Sequence, residues 1–135
     1  MITGPRIDKI IDQAIERWPD RTAIVHKSRF LTYSDLKDQV WLFRNRLKEA
    51  GFSFGDRAVL WMENSCEYVA AYLAVLGMGG TVVAKYSQVK AEEILRVVHH
   101  VEAKVLITFS SIWEKVAHQL DWEDLNFVVT ENEIK

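Results

Sequence analysis

The fold is decided by residues 55–86, which read GDRAVLWMENSCEYVAAYLAVLGMGGTVVAKY. Arg57 to Met62 is a short apolar run between turn residues, which predicts a buried strand. Asn64 and Glu67 are spaced as an N-terminal capping pair, and the apolar residues after them predict a helix that is buried nearly all round. Gly79-Gly80 ends that helix, and Thr81 to Tyr86 reads as the next strand. The stretch is a strand–helix–strand unit.

The C-terminal side continues the alternation. Ala91, Ile94, Leu95 and Val98 mark a helix, and a strand follows at Val105 to Phe109. Ser111 and Glu114 predict a capping box for a further helix, and Asn126 to Thr130 reads as a last strand. These strands are continuous apolar runs, which is typical of a parallel sheet covered on both faces and joined by right-handed crossovers. We therefore predict an α/β fold, a three-layer sandwich with a mostly parallel, Rossmann-like sheet.

The N-terminal side adds a helix and a short hairpin. Apolar residues at helical spacing precede Pro19, which ends the first helix: Ile7, Ile10, Ile11, Ala14, Ile15 and Trp18. Thr22 to His26 and Arg29 to Thr32 read as two strands, although Lys27-Ser28 is not a favoured tight turn. Thr32 and Asp35 predict the cap of a second helix whose apolar face is Leu36, Val40, Phe43 and Leu47, and Gly51 fits a left-handed C-terminal cap.

Length and composition restrict the function. The 135 residues predict one domain, 1–135, and the net charge of -2 argues against nucleic acid or an anionic membrane as a partner. The single cysteine, Cys66, excludes an intrachain disulfide and favours a reducing cytoplasm. The N-terminus shows no apolar signal-peptide core, and the longest apolar run, Val69 to Leu76, is too short for a membrane span.

Aromatic residues are frequent, with five tryptophans and six phenylalanines. We expect most of them to form a large aromatic core. The alternative is that some of them face a partner or a further part of the protein.

Ligands of an open α/β fold usually bind beyond the carboxyl ends of its strands. The candidates there are Glu63, Asn64, Ser65, Tyr86, Ser87, Thr108 and Ser110. Each has a structural interpretation as well: Asn64, Ser110 and Ser111 as helix caps, and Glu63 as a solvated loop acid. The glycine run 77–80 follows a helix and precedes a strand, the reverse of a dinucleotide fingerprint, and the sequence contains no G-x-x-x-x-G-K-[ST].

The sequence shows no clear pattern for a metal site or for a catalytic nucleophile. His99-His100 are neighbours near a helix end, so their side chains point about 100° apart, and the helix dipole explains their position. Cys66 reads as a small buried hydrophobe, with a reactive thiol as the alternative. Glu92-Glu93 and Asp121 to Asp124 read as solvated faces. We assign no catalytic, cofactor-binding or metal-binding residue.

The order and spacing of five segments resemble the N-terminal part of the adenylate-forming ligases, the family of acyl-CoA synthetases, luciferases and adenylation domains. The resemblance covers roughly Ile7 to Ile107. It rests on segments 23–25 (AIV), 30–36 (FLTYSDL), 51–59 (GFSFGDRAV), 63–65 (ENS) and 70–83 (AAYLAVLGMGGTVV). None of these segments is diagnostic alone.

The resemblance implies that this chain is the first subdomain of a large N-terminal domain. The family uses ATP and Mg²⁺ to turn a carboxylate into an acyl-adenylate and pyrophosphate, and then transfers the acyl group to CoA or a carrier protein. The family's phosphate loop, adenine- and ribose-binding residues and C-terminal-domain lysine have no counterpart here. The matched positions therefore look structural: Thr32, Tyr33, Leu36, Gly51, Gly55, Asp56, Asn64 and Gly80.

Local departures affect the choice within the family. Lys85 stands where the family usually has proline, and Tyr86 to Val89 lacks the proline-rich pattern of amino-acid-activating domains, which favours an acyl-CoA synthetase. Three hypotheses remain: an N-terminal fragment that binds no cofactor and is inactive alone, a split subunit that docks onto the remainder of the ligase, and a degenerate homologue that forms a homo-oligomer. The sequence names neither the acyl substrate nor the acceptor.

Overall fold

The computed structural model describes residues 6–123, 125 and 127–134. Within these residues the chain forms five α-helices and six strands, and ends in a short 3-10 helix, Glu131–Ile134. In chain order the elements are α1 (Ile7–Arg17), β1 (Thr22–His26), β2 (Arg29–Thr32), α2 (Tyr33–Glu49), β3 (Arg57–Trp61), α3 (Cys66–Gly77), β4 (Thr81–Lys85), α4 (Ala91–His100), β5 (Val105–Thr108), α5 (Ser110–Val116) and β6 (Val128–Thr130).

The main sheet is parallel, with the strand order β4-β3-β5-β6. Successive residues of β3 face opposite sides: Ala58 and Leu60 pack with α2 and α3, whereas Val59 and Trp61 pack with α4 and α5. Both faces of the sheet are thus covered by helices, which is why its strands are continuous apolar runs. The predicted three-layer α/β sandwich is confirmed.

The hairpin and the second helix form as predicted. β1 and β2 pair antiparallel, and Lys27 adopts a left-handed φ of 58° in the turn between them. At the start of α2, the Thr32 hydroxyl accepts from the Asp35 N–H, and the Asp35 carboxylate accepts from the Thr32 N–H. Gly51, just beyond α2, has a φ of 80°. The predicted capping box and left-handed C-terminal cap are confirmed.

Helix α3 has a different cap from the one predicted. Ser65 caps it, with its hydroxyl accepting from the Tyr68 N–H at 3.0 Å, so the expected cap at Asn64 is wrong. Its buried face consists mainly of small residues, Cys66, Ala70, Ala71, Ala74 and Val75, and Tyr72 is 37% exposed. Small side chains let the helix lie close to the sheet. Every other residue of the helix is buried or half-buried, so the prediction of a helix buried nearly all round is confirmed.

The last helix and strand begin at different residues from those predicted. α5 begins at Ser110 and its N-cap residue is Phe109, whose side chain forms no capping hydrogen bond. The capping box expected from Ser111 and Glu114 is therefore wrong. β6 covers Val128–Thr130, and Asn126, where we expected the strand to begin, lies outside the described residues.

The aromatic residues are divided between core and surface. Phe43, Phe52 and Trp61 are at most 3% exposed, whereas the exposed fractions of Phe30, Trp41 and Phe54 are 65%, 60% and 82%. The other core aromatics are half-buried and pack against the core: Phe109, Trp113, Trp122 and Phe127. Most tryptophans and phenylalanines therefore join the core as expected, and the exposed ones fit the alternative of a surface that faces a partner. In the part of the chain that the structure describes, no helix is long and apolar enough to cross a membrane.

Candidate functional site

The carboxyl edge of the main sheet is formed by four strand ends. Lys85, Trp61, Thr108 and Thr130 are neighbours in register across β4, β3, β5 and β6. Because the strands are parallel, the segments that follow them leave the sheet at the same edge. The predicted candidates therefore do share one edge.

Thr108 lies inside the sheet at this edge. Its side chain has no exposed surface, and its hydroxyl donates a 2.7 Å hydrogen bond to the carbonyl of Trp61 on the neighbouring strand. A buried hydroxyl gains most from an internal acceptor. Thr108 therefore holds β3 and β5 together and is not available to a ligand in this conformation.

Ser110 is engaged by Glu131, a residue from beyond β6. The Glu131 carboxylate accepts from the Ser110 N–H at 2.7 and 3.0 Å and from the Ser110 hydroxyl at 2.5 Å. An acid at the start of a helix is stabilised by the free N–H groups there. Glu131 thus takes the role expected of a local cap, and sequence reasoning missed it because the two residues are 21 positions apart.

The segment after β3 is organised around Ser65. Besides capping α3, the Ser65 hydroxyl donates to the Glu63 carbonyl at 3.0 Å. The side chains of Glu63 and Asn64 are exposed, so the prediction of Glu63 as a solvated loop acid is confirmed. Within α3, burial raises the pKa of the Tyr68 phenol, and the neighbouring Tyr72 raises it further.

The start of α3 is also tied to the hairpin. Arg29 on β2 forms a 2.5 Å ion pair with Glu67 in the first turn of α3. The hydrogen bond to Glu67 raises the pKa of the Arg29 guanidinium. The contact joins the hairpin to the sandwich and places a cation–anion pair near the edge.

The segment after β4 is partly open to solvent. Tyr86 is 70% exposed and Ser87 is half-buried. The Tyr86 carbonyl accepts from the Val89 N–H at 3.0 Å and forms a turn before α4. Nearby in register, Trp61 is 3% exposed, yet its indole N–H has no hydrogen-bond partner among the described residues. No sequence pattern indicates this buried donor.

The remaining candidates lie apart from the edge or are buried. His99 and His100 are exposed in the last turn of α4, and Cys66 is a free thiol that is 2% exposed, as predicted for a buried hydrophobe. Glu92, Glu93, Asp121 and Glu123 are exposed, and Asp124 lies outside the described residues. Gly79 adopts a φ of 75° after α3, which confirms the glycine run as a helix stop. Among the described residues, no group of three or more His, Cys, Asp or Glu could hold a metal.

Three of the seven edge candidates, Ser65, Thr108 and Ser110, therefore form hydrogen bonds that build the fold. Glu63 and Asn64 are exposed on the loop after β3, whereas Tyr86 is exposed and Ser87 half-buried on the loop after β4. This edge has the geometry of a ligand-binding α/β fold, but its engaged groups stabilise strands and helices. The fold and the site together define a doubly wound α/β scaffold domain.

Comparison with known proteins identifies the family of this scaffold. The model of the family described as "AMP-binding enzyme" matches residues 11–134. The chain therefore belongs to the AMP-binding, adenylate-forming enzyme family.

The relatives include both amino-acid-activating and CoA-forming enzymes. The chain is 28% identical to tyrocidine synthase 1 of Brevibacillus parabrevis over 97% of its own length and 12% of that protein. It is 29% identical to the 3-hydroxybenzoate--CoA/4-hydroxybenzoate--CoA ligase of Thauera aromatica over 76% of its length and 20% of the ligase. The chain thus spans a fifth or less of these two relatives.

Solved structures show the same fold. The N-terminal domain of FACL13 from Mycobacterium tuberculosis matches 96% of this chain with a TM-score of 0.83 and 20% identity, and this chain covers 35% of it. The N-terminal subdomain of NpsA from Klebsiella oxytoca matches 96% of this chain with a TM-score of 0.78 and 23% identity, and 30% of it is covered. The chain thus corresponds to the N-terminal part of larger ligases.

Proposed function

We propose that this chain is the N-terminal fragment, or a separate N-terminal subunit, of an ATP-dependent carboxylate–CoA ligase that forms an acyl-adenylate, and that it is inactive alone. Family membership supports the adenylate-forming chemistry. The CoA acceptor is favoured by the loop Tyr86 to Val89, which lacks the proline-rich pattern expected of amino-acid-activating domains.

The observation that carries the proposal is the use of the strand-end polar groups. Catalysis of adenylation requires groups that neutralise the charge of the phosphates. Ser65, Thr108 and Ser110 are instead bound to backbone groups and to Glu131, so these residues do not fit a nucleotide or Mg²⁺ site. ATP, Mg²⁺ and CoA would therefore be bound by other regions of the complete enzyme.

Pyrophosphate release tests the proposal. The purified chain is incubated with Mg·ATP and a panel of fatty, aryl and amino acids, next to a complete ligase of the family as the positive control. We expect no release above the enzyme-free rate with any acid. Release that depends on both the chain and a particular carboxylate would overturn the proposal of an inactive fragment.

A CoA acceptor requires its own measurement. The chain is assayed together with the remainder of the ligase, which is expressed from the same gene or from a neighbouring gene. We expect acyl-CoA to form when the acid, ATP and CoA are all present. Adenylate formation without transfer to CoA would contradict the acyl-CoA assignment and leave the adenylate-forming assignment intact.

A second candidate function is docking without chemistry. Val25 and Phe30 are cross-strand partners in the hairpin, and they are 70% and 65% exposed. Such a pair is typical of a surface that another polypeptide covers. If docking to the remainder of the ligase uses this pair, Phe30→Ser will weaken binding to the purified remainder, and Phe54→Ser, which changes an exposed ring outside the hairpin, will not. Equal effects of the two substitutions would contradict the assignment.

Two further assignments belong to the proposal. We place the protein in the cytoplasm, where the free thiol of Cys66 would stay reduced. Residues 1–135 would form one folding unit, which a single cooperative thermal transition supports and two separated transitions contradict.

A further inference from the structure

A groove runs between α1 and α2, with α3 as its floor. It encloses about 110 Å³ and has an apolar lining that includes Ile11, Ile15, Val40 and Leu73. Trp41 lines its α2 side with 60% of its surface exposed. A large aromatic ring beside an apolar depression is typical of a surface that binds protein.

The two sides of the groove carry opposite charges. Asp8 and Asp12 line it on the α1 side, which we call the acidic rim, and Lys37 and Arg44 line it on the α2 side, which we call the basic rim. Asp8 pairs with Arg6. Asp12, Lys37 and Arg44 form no ion pair with any residue that the structure describes. The groove therefore presents unmatched charge of both signs.

This arrangement is complementary to itself. A two-fold axis that lies in the contact plane along the groove brings the acidic rim of one copy opposite the basic rim of the other. Both rims are then matched at once, and Trp41 of each copy lies on α1 of its partner. A partner of one charge sign, such as a nucleic acid, would match one rim and be repelled by the other. We propose that the groove is a self-association surface and that its occupant is a second copy of this chain.

The size of the surface sets the strength of the association. α1 has 11 residues and is about 16 Å long, and packed helices lie about 9 Å apart. Two such helices form a contact at the low end of specific interfaces, so the dimer is weak and depends on protein concentration. Because the rims are exposed, high salt weakens it further.

Sedimentation velocity at rising concentrations tests the proposal, in low and in high salt. We expect the wild-type chain to dimerise in low salt. The double substitution Lys37→Glu and Arg44→Glu makes both rims acidic, and Asp12→Lys adds basic charge to the acidic rim. Each change should weaken self-association by roughly tenfold or more. An equimolar mixture of the two variants should form a heterodimer, because the two acidic rims of the double variant then face the basic rim and the neutralised acidic rim of Asp12→Lys.

The control is Lys9→Glu, which reverses an exposed charge of α1 that does not line the groove; it should leave the dimer unchanged. Circular dichroism melts verify that each variant is folded. Trp41→Ala replaces any variant that is not folded, and it should weaken self-association by the same factor. A wild-type chain that stays monomeric at the highest concentration overturns the proposal. So does a dimer that both charge variants retain, or a mixture that fails to associate.

Discussion

Gly80 occupies a position where the fold leaves no room for a side chain. A Cβ at this residue would lie 2.5 Å from Cε1 and 2.6 Å from Cζ of Phe52, and 3.0 Å from Cγ1 of Val75. Phe52 is 3% exposed, so its ring has little freedom to move. The Gly80 N–H also bonds to the Val75 carbonyl, which fixes the backbone. We therefore predict that Gly80→Ala destabilises the chain.

The size of the effect follows from the contacts. The Phe52 ring must move by 0.9 Å to lengthen the distance between the added Cβ and Phe52 Cε1 from 2.5 Å to an ordinary 3.4 Å. Overpacking of this kind costs about 2 kcal/mol, which lowers the Tm of a domain of this size by roughly 6–10 °C. The φ of Gly80 is outside the left-handed region, so no backbone strain adds to this cost.

Gly55 provides the matched control, because its φ is 85° and a Cβ there would meet no atom within 4 Å. Gly55→Ala adds backbone strain without a clash, and we expect a loss of about 0.5–1 kcal/mol. Thermal and urea unfolding measure both variants. In a Phe52→Leu background, which removes the two closest ring atoms, Gly80→Ala should cost less. Equal losses at Gly80 and Gly55, or a loss that Phe52→Leu does not reduce, would refute the steric explanation.

Three further predictions concern helix ends. Ser65→Ala should lower the free energy of unfolding by about 1 kcal/mol because it removes the α3 cap, whereas Asn64→Ala should change it by less than about 0.5 kcal/mol. Glu102 adopts a left-handed φ of 52° after α4, so Glu102→Gly should stabilise the chain by about 0.5–1 kcal/mol in urea unfolding. Backbone and side-chain hydrogen bonds from Thr32 lower the pKa of the Asp35 carboxyl below its usual 3.8. The wild-type chain should therefore be more stable than Asp35→Asn above pH 3.8, and this difference should disappear as the pH falls through the lowered pKa.

Each of these predictions has a control and a contradicting result. If Asn64→Ala lowered the free energy of unfolding more than Ser65→Ala, the assignment of Ser65 as the α3 cap would be wrong. Glu102→Ala removes the same side chain but keeps the left-handed strain, so an equal gain from this substitution would exclude the backbone explanation. Asp38→Asn changes an exposed acid of α2 that has no part in the cap; a pH dependence equal to that of Asp35→Asn would contradict the role of the capping box.

The sequence was sufficient to predict the layers of this fold. Strands such as those within 57–62 and 105–109 are buried on both faces, so each is a continuous apolar run. Such a run can be recognised without knowing the rest of the chain. The box at Thr32 and Asp35 and the left-handed Gly51 are equally local. Features decided within a few residues were therefore predicted correctly.

The helix caps at the site required information that the sequence pattern lacks. Asn64 and Ser65 are adjacent and both are good capping residues, and only the backbone angles decide which one caps α3. The partner of Ser110 is Glu131, which reaches it only through the pairing of β5 with β6. Composition likewise could not tell that Trp41 and Phe54 stay exposed. These features depend on the local backbone conformation or on contacts between distant residues.

We propose that the polar groups at the carboxyl edge belong to the scaffold and that they bind no nucleotide in this chain alone. A titration of the isotope-labelled chain with Mg·ATP, followed by amide NMR shifts, tests it most directly. We predict that the amides of Ser65, Tyr86 and Ser110 do not shift at millimolar Mg·ATP. Saturable shifts of these amides, centred on the ends of β3, β4 and β5, would contradict the account.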